Sequence, residues 1–120
     1  MAVAPDIILK ELKKNHFHPI YFLHGDEPFY IDAIAALLEE KVVAESDRSF
    51  NQFILYGKDT DITGVLGHAK RFPFIAERQL VIVKEAQRLG GLEQKEQQKR
   101  LEEYANNPLS STVLVFCHHA

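Results

Sequence analysis

With one cysteine in 120 residues, Cys117, the chain can form no internal disulfide, and such chains belong to reducing compartments. Basic excess is also missing. The formal net charge is −3, and the short pairs Lys13-Lys14 and Lys99-Arg100 stand beside acidic residues. Phosphate backbones are held by clustered Lys and Arg, so this chain is not expected to grip a nucleic acid by itself. No apolar signal segment opens the sequence and no apolar run is long enough to cross a bilayer; the expected location is the cytoplasm. What remains is a hydrophobic fraction of 46% and a charged fraction of 26%, ordinary for one globular domain. A domain of this size can bury a real core but has no room for a deep catalytic cavity beside it.

Hydrophobic spacing predicts alternating helices and strands. Asp6 can cap a helix carrying Ile7, Ile8, Leu9 and Leu12 that ends near Asn15. A strand follows over Pro19–Leu23, and its nearly unbroken apolar run predicts burial on both faces. Gly25 breaks it, Asp26 offers a cap, and Pro28 fits the first turn of a helix with Ile31, Ile34, Ala35, Leu38 and Val42 on one stripe. A second strand is expected over Asn51–Tyr56, ended by Gly57. Asp61 then caps a helix through Val65, Leu66 and Ala69 that closes at Arg71, because Pro73 disfavours helical geometry at Phe72. The third strand is Gln79–Val83. After Gly90-Gly91 a polar helix runs from Leu92 to Tyr104 and touches the core through residues such as Leu101 and Tyr104. The fourth strand is Thr112–Phe116. This alternation predicts an α/β fold, a mostly parallel sheet with flanking helices. The chain stops directly after the fourth strand, where a doubly wound fold normally continues, so it reads as a fragment of a longer protein.

The turn after the first strand is where open α/β sheets place ligands. Here it reads His24-Gly25-Asp26-Glu27-Pro28. A phosphate-cradling loop needs several glycines, then Lys and Ser or Thr. This turn has one glycine, no lysine, and two carboxylates that would repel a triphosphate, which argues against a nucleotide-hydrolysing domain. Asp26 and Glu27 could hold Mg²⁺ in a receiver-type signalling domain, but that chemistry also needs an Asp after the third strand, where Lys84-Glu85-Ala86 stands. Helix capping by Asp26 is the plainer role. The pairs His16/His18 and His118/His119 flank different strands and are expected to be surface residues, and Cys117 a small core residue. No catalytic residue, cofactor or metal is expected.

One connection stands out: Arg71-Phe72-Pro73-Phe74-Ile75-Ala76-Glu77-Arg78. It joins a helix to a strand at the surface, yet carries three large apolar residues braced by a proline. Phe72 is expected to fold back into the core. Phe74 and Ile75 suit insertion into a partner's pocket, where each would contribute about 1.5–3 kcal/mol.

Three strings together resemble the N-terminal domain of the delta-subunit family of bacterial DNA polymerase III clamp loaders: Pro19 to Phe29, Phe72 to Val83, and Leu101 to Pro108 followed by Ser111 to Val115. Their order and spacing are more specific than any one of them. The resemblance implies an AAA+/RecA-like fold with a degenerate nucleotide loop, spanning residues 1–120 as the first of three domains. It implies a domain that binds the beta sliding clamp and helps open the ring for loading onto primed DNA, with no ATPase activity of its own. Gamma/tau and delta prime subunits would be partners of the full-length protein, with DNA contacted only indirectly by this segment. Phe74 and Ile75 fall at the family's clamp-contacting pair, with Pro73, Val65, Leu66 and His68 as supporting candidates. Ile75 departs from the Phe or Leu common there.

Overall fold

The structure, a computed structural model, describes residues 5–25 and 28–118. Its elements are α1 (Pro5–Lys13), β1 (Ile20–Leu23), α2 (Pro28–Lys41), α3 (Arg48–Asn51), β2 (Gln52–Tyr56), α4 (Ile62–Ala69), β3 (Gln79–Lys84), α5 (Lys95–Asn106) and β4 (Thr112–Cys117). The four strands form one sheet in the order β1-β4-β3-β2, and every neighbouring pair is parallel. The α/β fold expected from the sequence is the one observed.

That order explains the layers. From β1 the chain crosses over α2 to the far edge at β2, then steps back through β3 to β4. Crossovers share one hand, so reversing direction along the sheet moves the connecting helices to its other face. Leu12 of α1 and Ile31, Ile34 and Leu38 of α2 pack with Tyr21, Leu80, Ile82, Val113 and Val115 on one side. Ile62, Val65, Leu66 and Ala69 of α4 and Tyr104 of α5 pack with Val81, Val83, Leu114 and Phe116 on the other. β3 and β4 are therefore buried on both faces, as their continuous apolar runs require. β1 is different. It lies at the sheet edge with Phe22 exposed, so the expectation of two-sided burial fails there; only Tyr21 and Leu23 are buried.

Local signals account for most boundaries. The Asp61 carboxylate accepts from the Gly64 N–H at 2.8 Å and caps α4 as expected. The Asp26 cap lies outside the described residues. α5 begins at Lys95 rather than Leu92, because Leu92 packs against the second core while Gly91, at φ 88°, turns the chain. Gly57 is required by close approach: a Cβ there would sit 2.2 Å from the Glu85 carbonyl oxygen. The short helix α3 gives no signal in the sequence, because four residues carry no periodicity to read. It is held from its first residue, since Arg48 donates to the carbonyls of Glu40 at 2.9 Å and Val43 at 3.2 Å at the end of α2.

α4 ends at Ala69, earlier than expected, and its last carbonyls point into the protein. Polar side chains from the two central strands meet them there. Thr112 Oγ1 donates to the Ala69 carbonyl at 2.8 Å, and the Gln79 amide nitrogen lies 3.0 Å from the His68 carbonyl and 2.5 Å from that of Arg71. Gln79 also donates to Thr112 Oγ1 at 2.9 Å. Both residues are essentially inaccessible to solvent. Removing the donor orphans buried carbonyls, so Gln79→Leu is expected to lower stability by about 1–3 kcal/mol, seen as a lower urea midpoint at unchanged slope.

Cys117 is fully buried, as expected of a core residue. Burial pushes its thiol from the ordinary 9.0 up to about 11; Lys84 offsets part of that, while Asp32 and Glu39 add to it. The folded state thus favours the neutral thiol. The stability this contributes is whole below pH 9 and declines as the pH rises toward 11. At pH 8 a disulfide reagent should label Cys117 at least about a hundredfold more slowly in the native protein than in urea.

Candidate functional site

The connection from α4 to β3 is a projecting apolar corner. Phe72 is 76% exposed, Phe74 59% and Ile75 83%. Phe74 and Ile75 thus face outward, as their position predicts. Phe72 does so too, contrary to the expectation that it returns to the core. The reason is steric: α4 stops at Ala69, and Gln79 with Thr112 already fills the space beneath the helix end.

Backbone geometry makes the corner sharp. Ile75 sits at φ 50°, in the left-handed region, where a β-branched side chain is disfavoured. Holding it there costs on the order of 1–3 kcal/mol, which the surroundings must offset. Both ends of the corner are tied. Gln79 binds the Arg71 carbonyl on the entry side, and the Arg78 guanidinium lies 5.2 Å above the Phe17 ring on the exit side.

The middle is held by Asn51, the last residue of α3. Its Oδ1 accepts from the Phe74 N–H at 2.6 Å, and its Nδ2 donates to the Phe74 carbonyl at 2.9 Å and to that of Asp47 at 3.1 Å. Asn51 is 1% exposed. Its neighbour Phe50 points out instead, 64% exposed, with its ring centroid 5.5 Å from that of Phe74. Phe50, Phe72, Phe74 and Ile75 thus supply large apolar side chains around one corner. From the sequence, Asn51 reads as a strand residue and Phe50 falls in an unassigned stretch. The link from Asn51 to Phe74 spans 23 residues and leaves no local pattern.

The supporting candidates divide. Val65 and Leu66 are buried in the second core, so they fix α4 and offer no side-chain surface to a partner. His68 is half-buried with its ring centroid 4.9 Å from that of Phe53, over which the Arg71 guanidinium also lies, at 5.5 Å. Pro73 is half-buried within the corner.

At the carboxyl end of β1, Gly25 follows the strand at φ 138°, a conformation that suits glycine. Asp26 and Glu27 lie outside the described residues, as does His119. His16 and His18 are exposed, as expected, but they converge with Glu11: the donor atoms of the three lie within 4.8 Å of one another. The end of α1 brings them together. Asn15, at φ 58°, turns the chain so that the His16 N–H reaches the Glu11 carbonyl at 2.9 Å, and His18 Nε2 lies 3.2 Å from Glu11 Oε1. A hydrogen-bonded turn accounts for this group. Among the described residues no helix is long and apolar enough to cross a membrane.

Comparison with known proteins gives a consistent result. The DNA polymerase III subunit delta of Bacillus subtilis (strain 168) is 32% identical over 112 residues, which are 90% of this chain and 32% of that protein. The solved Bacillus subtilis DNA clamp loader delta protein superposes with a TM-score of 0.82 at 30% identity, covering 96% of this chain and 35% of that one. A gamma subunit-related protein of DNA polymerase III from Thermotoga maritima matches with a TM-score of 0.63 over 96% of this chain and 39% of its own; at 14% identity this likeness shows the fold alone. The chain spans about a third of the length of the delta relatives it matches. The family model described as DNA polymerase III, delta subunit, matches residues 21–120, which hold every element from β1 to β4 except Ile20 while α1 precedes them, and the chain belongs to this family.

Proposed function

We propose that this chain is the clamp-handling domain of a clamp-loader delta subunit, binding the beta sliding clamp through Phe74 and Ile75. The observation that carries this reading is the corner itself: two large apolar side chains, 59% and 83% exposed, on a backbone bent into the left-handed region. A stability-driven sequence would place Gly or Asn at such a φ. Isoleucine there makes sense if its side chain is used by a partner.

The mechanism is binding work without covalent chemistry. A corner that fits the open clamp better than the closed one shifts the ring population by that difference in affinity, and by no more. ATP hydrolysis belongs to the sibling gamma/tau subunits in this scheme, since the Gly25 turn lacks the lysine and the additional glycines of a phosphate loop. Contacts with delta prime and with DNA belong to the rest of the full-length protein. Val65 and Leu66, buried, act as the support of α4 rather than as surface, and Pro73 and His68 as the flanks of the corner.

Phe74→Ala and Ile75→Ala are each expected to weaken binding to the cognate clamp by at least about tenfold, measured by titration, with the circular dichroism spectrum unchanged. Unchanged affinity in both would overturn the site. Ile75→Asn separates fold from function. Asparagine tolerates the left-handed region, so thermal stability should equal or exceed that of the unsubstituted protein while clamp affinity falls by a similar factor.

A further inference from the structure

An exposed apolar corner is useful to a partner only if it keeps one shape. Free, the segment from Arg71 to Arg78 would sample many conformations, and fixing each residue on binding would cost backbone entropy. The left-handed Ile75 adds a preference to relax. Something must hold the corner before the partner arrives.

We infer that Asn51 is a positioning residue for the clamp-docking corner, and that Phe50 beside it is a third apolar contact of the same surface; this rests on the function proposed above. Asn51 makes paired hydrogen bonds to the N–H and the carbonyl of Phe74, as a neighbouring strand would. An asparagine amide offers one acceptor and two donors on a short arm, and the second donor goes to Asp47, anchoring the arm to α3. Aspartate keeps the acceptor but sets a carboxylate against two carbonyls. Alanine keeps neither.

The pairing acts on the residue next to the strained one. With the Phe74 peptide groups fixed on both sides, Ile75 is carried to the apex and its side chain projects. Phe50 does for the ring what Asn51 does for the backbone. At 5.5 Å between centroids and 53° between planes, it limits where the Phe74 ring can swing while leaving its outer face open. Consecutive residues on one helix end thus control both parts of Phe74. Phe50 is itself exposed and continuous with Phe74, so a clamp pocket that receives Phe74 also covers part of Phe50.

Two measurements on the full-length protein test this. The first is amide hydrogen exchange at Phe74. Asn51→Ala should speed it by about tenfold or more beyond any change at the core amides of β3, Asn51→Asp less so because the acceptor remains, and Phe50→Ala hardly at all. The second is clamp affinity, alone and in a cycle with Phe74→Ala. Asn51→Ala and Asn51→Asp should each weaken binding by about fivefold or more, Phe50→Ala by about threefold or more, and each loss should shrink markedly once Phe74 is alanine. A purely structural residue would leave the losses additive. If the unsubstituted protein binds the clamp and the Asn51 variants bind equally well, or the losses simply add, the positioning role is overturned. Full affinity in Phe50→Ala removes Phe50 from the surface. No clamp binding by the unsubstituted protein overturns the proposed function and the docking role with it.

Discussion

Two parallel strands buried on both faces, β3 and β4, leave no water for any polar group between the layers, and the rest of the molecule is arranged around that constraint. Where a helix lying on such a pair ends, its last carbonyls must find donors inside the protein. Gln79 and Thr112 are those donors, each at the first position of its strand and cross-paired in register. The cost of leaving a buried carbonyl unmet makes the end of α4 one of the more strictly defined points in the chain.

From that fixed point the chain must turn outward, because the space beneath is already filled. Pro73 and the left-handed Ile75 supply the turn, and Asn51 supplies the missing hydrogen-bond partners for its middle residue. Two sets of buried polar contacts thus hold the segment: Gln79 and Thr112 of the central strands fix the end of α4 and the Arg71 carbonyl, and Asn51 fixes the Phe74 backbone to α3. A protein built this way can expose large apolar groups without their collapsing onto its own surface.

Membership of the delta-subunit family stands beside a fold whose two most exposed large apolar side chains among the described residues, Ile75 and Phe72, share one corner. The one thiol, Cys117, is buried, and burial holds it toward its neutral form. What the fold supplies is a rigid platform and a shaped apolar projection. In the proposed function they bias a partner between two forms, where only a difference in contact with each form has any effect.

Much of this was legible in the residues alone. The unbroken apolar runs at Leu80–Val83 and Val113–Val115 and the stripe from Ile31 to Val42 determined the parallel, two-sided sheet, since only helices on both faces can cover such strands. Asp61 announced its cap, and the proline-braced Phe74-Ile75 pair announced an exposed corner. The sequence could not show that β1 would be an edge with Phe22 uncovered, that Phe72 would be shut out of the core, or that Val65 and Leu66 would be sealed inside it. Nor could it join Asn51 to Phe74 or Glu11 to two histidines. Periodicity reports only which side of its own element a residue occupies. Neighbours from distant parts of the chain are chosen when the layers pack, and those choices decided which apolar residues are hidden and which are offered.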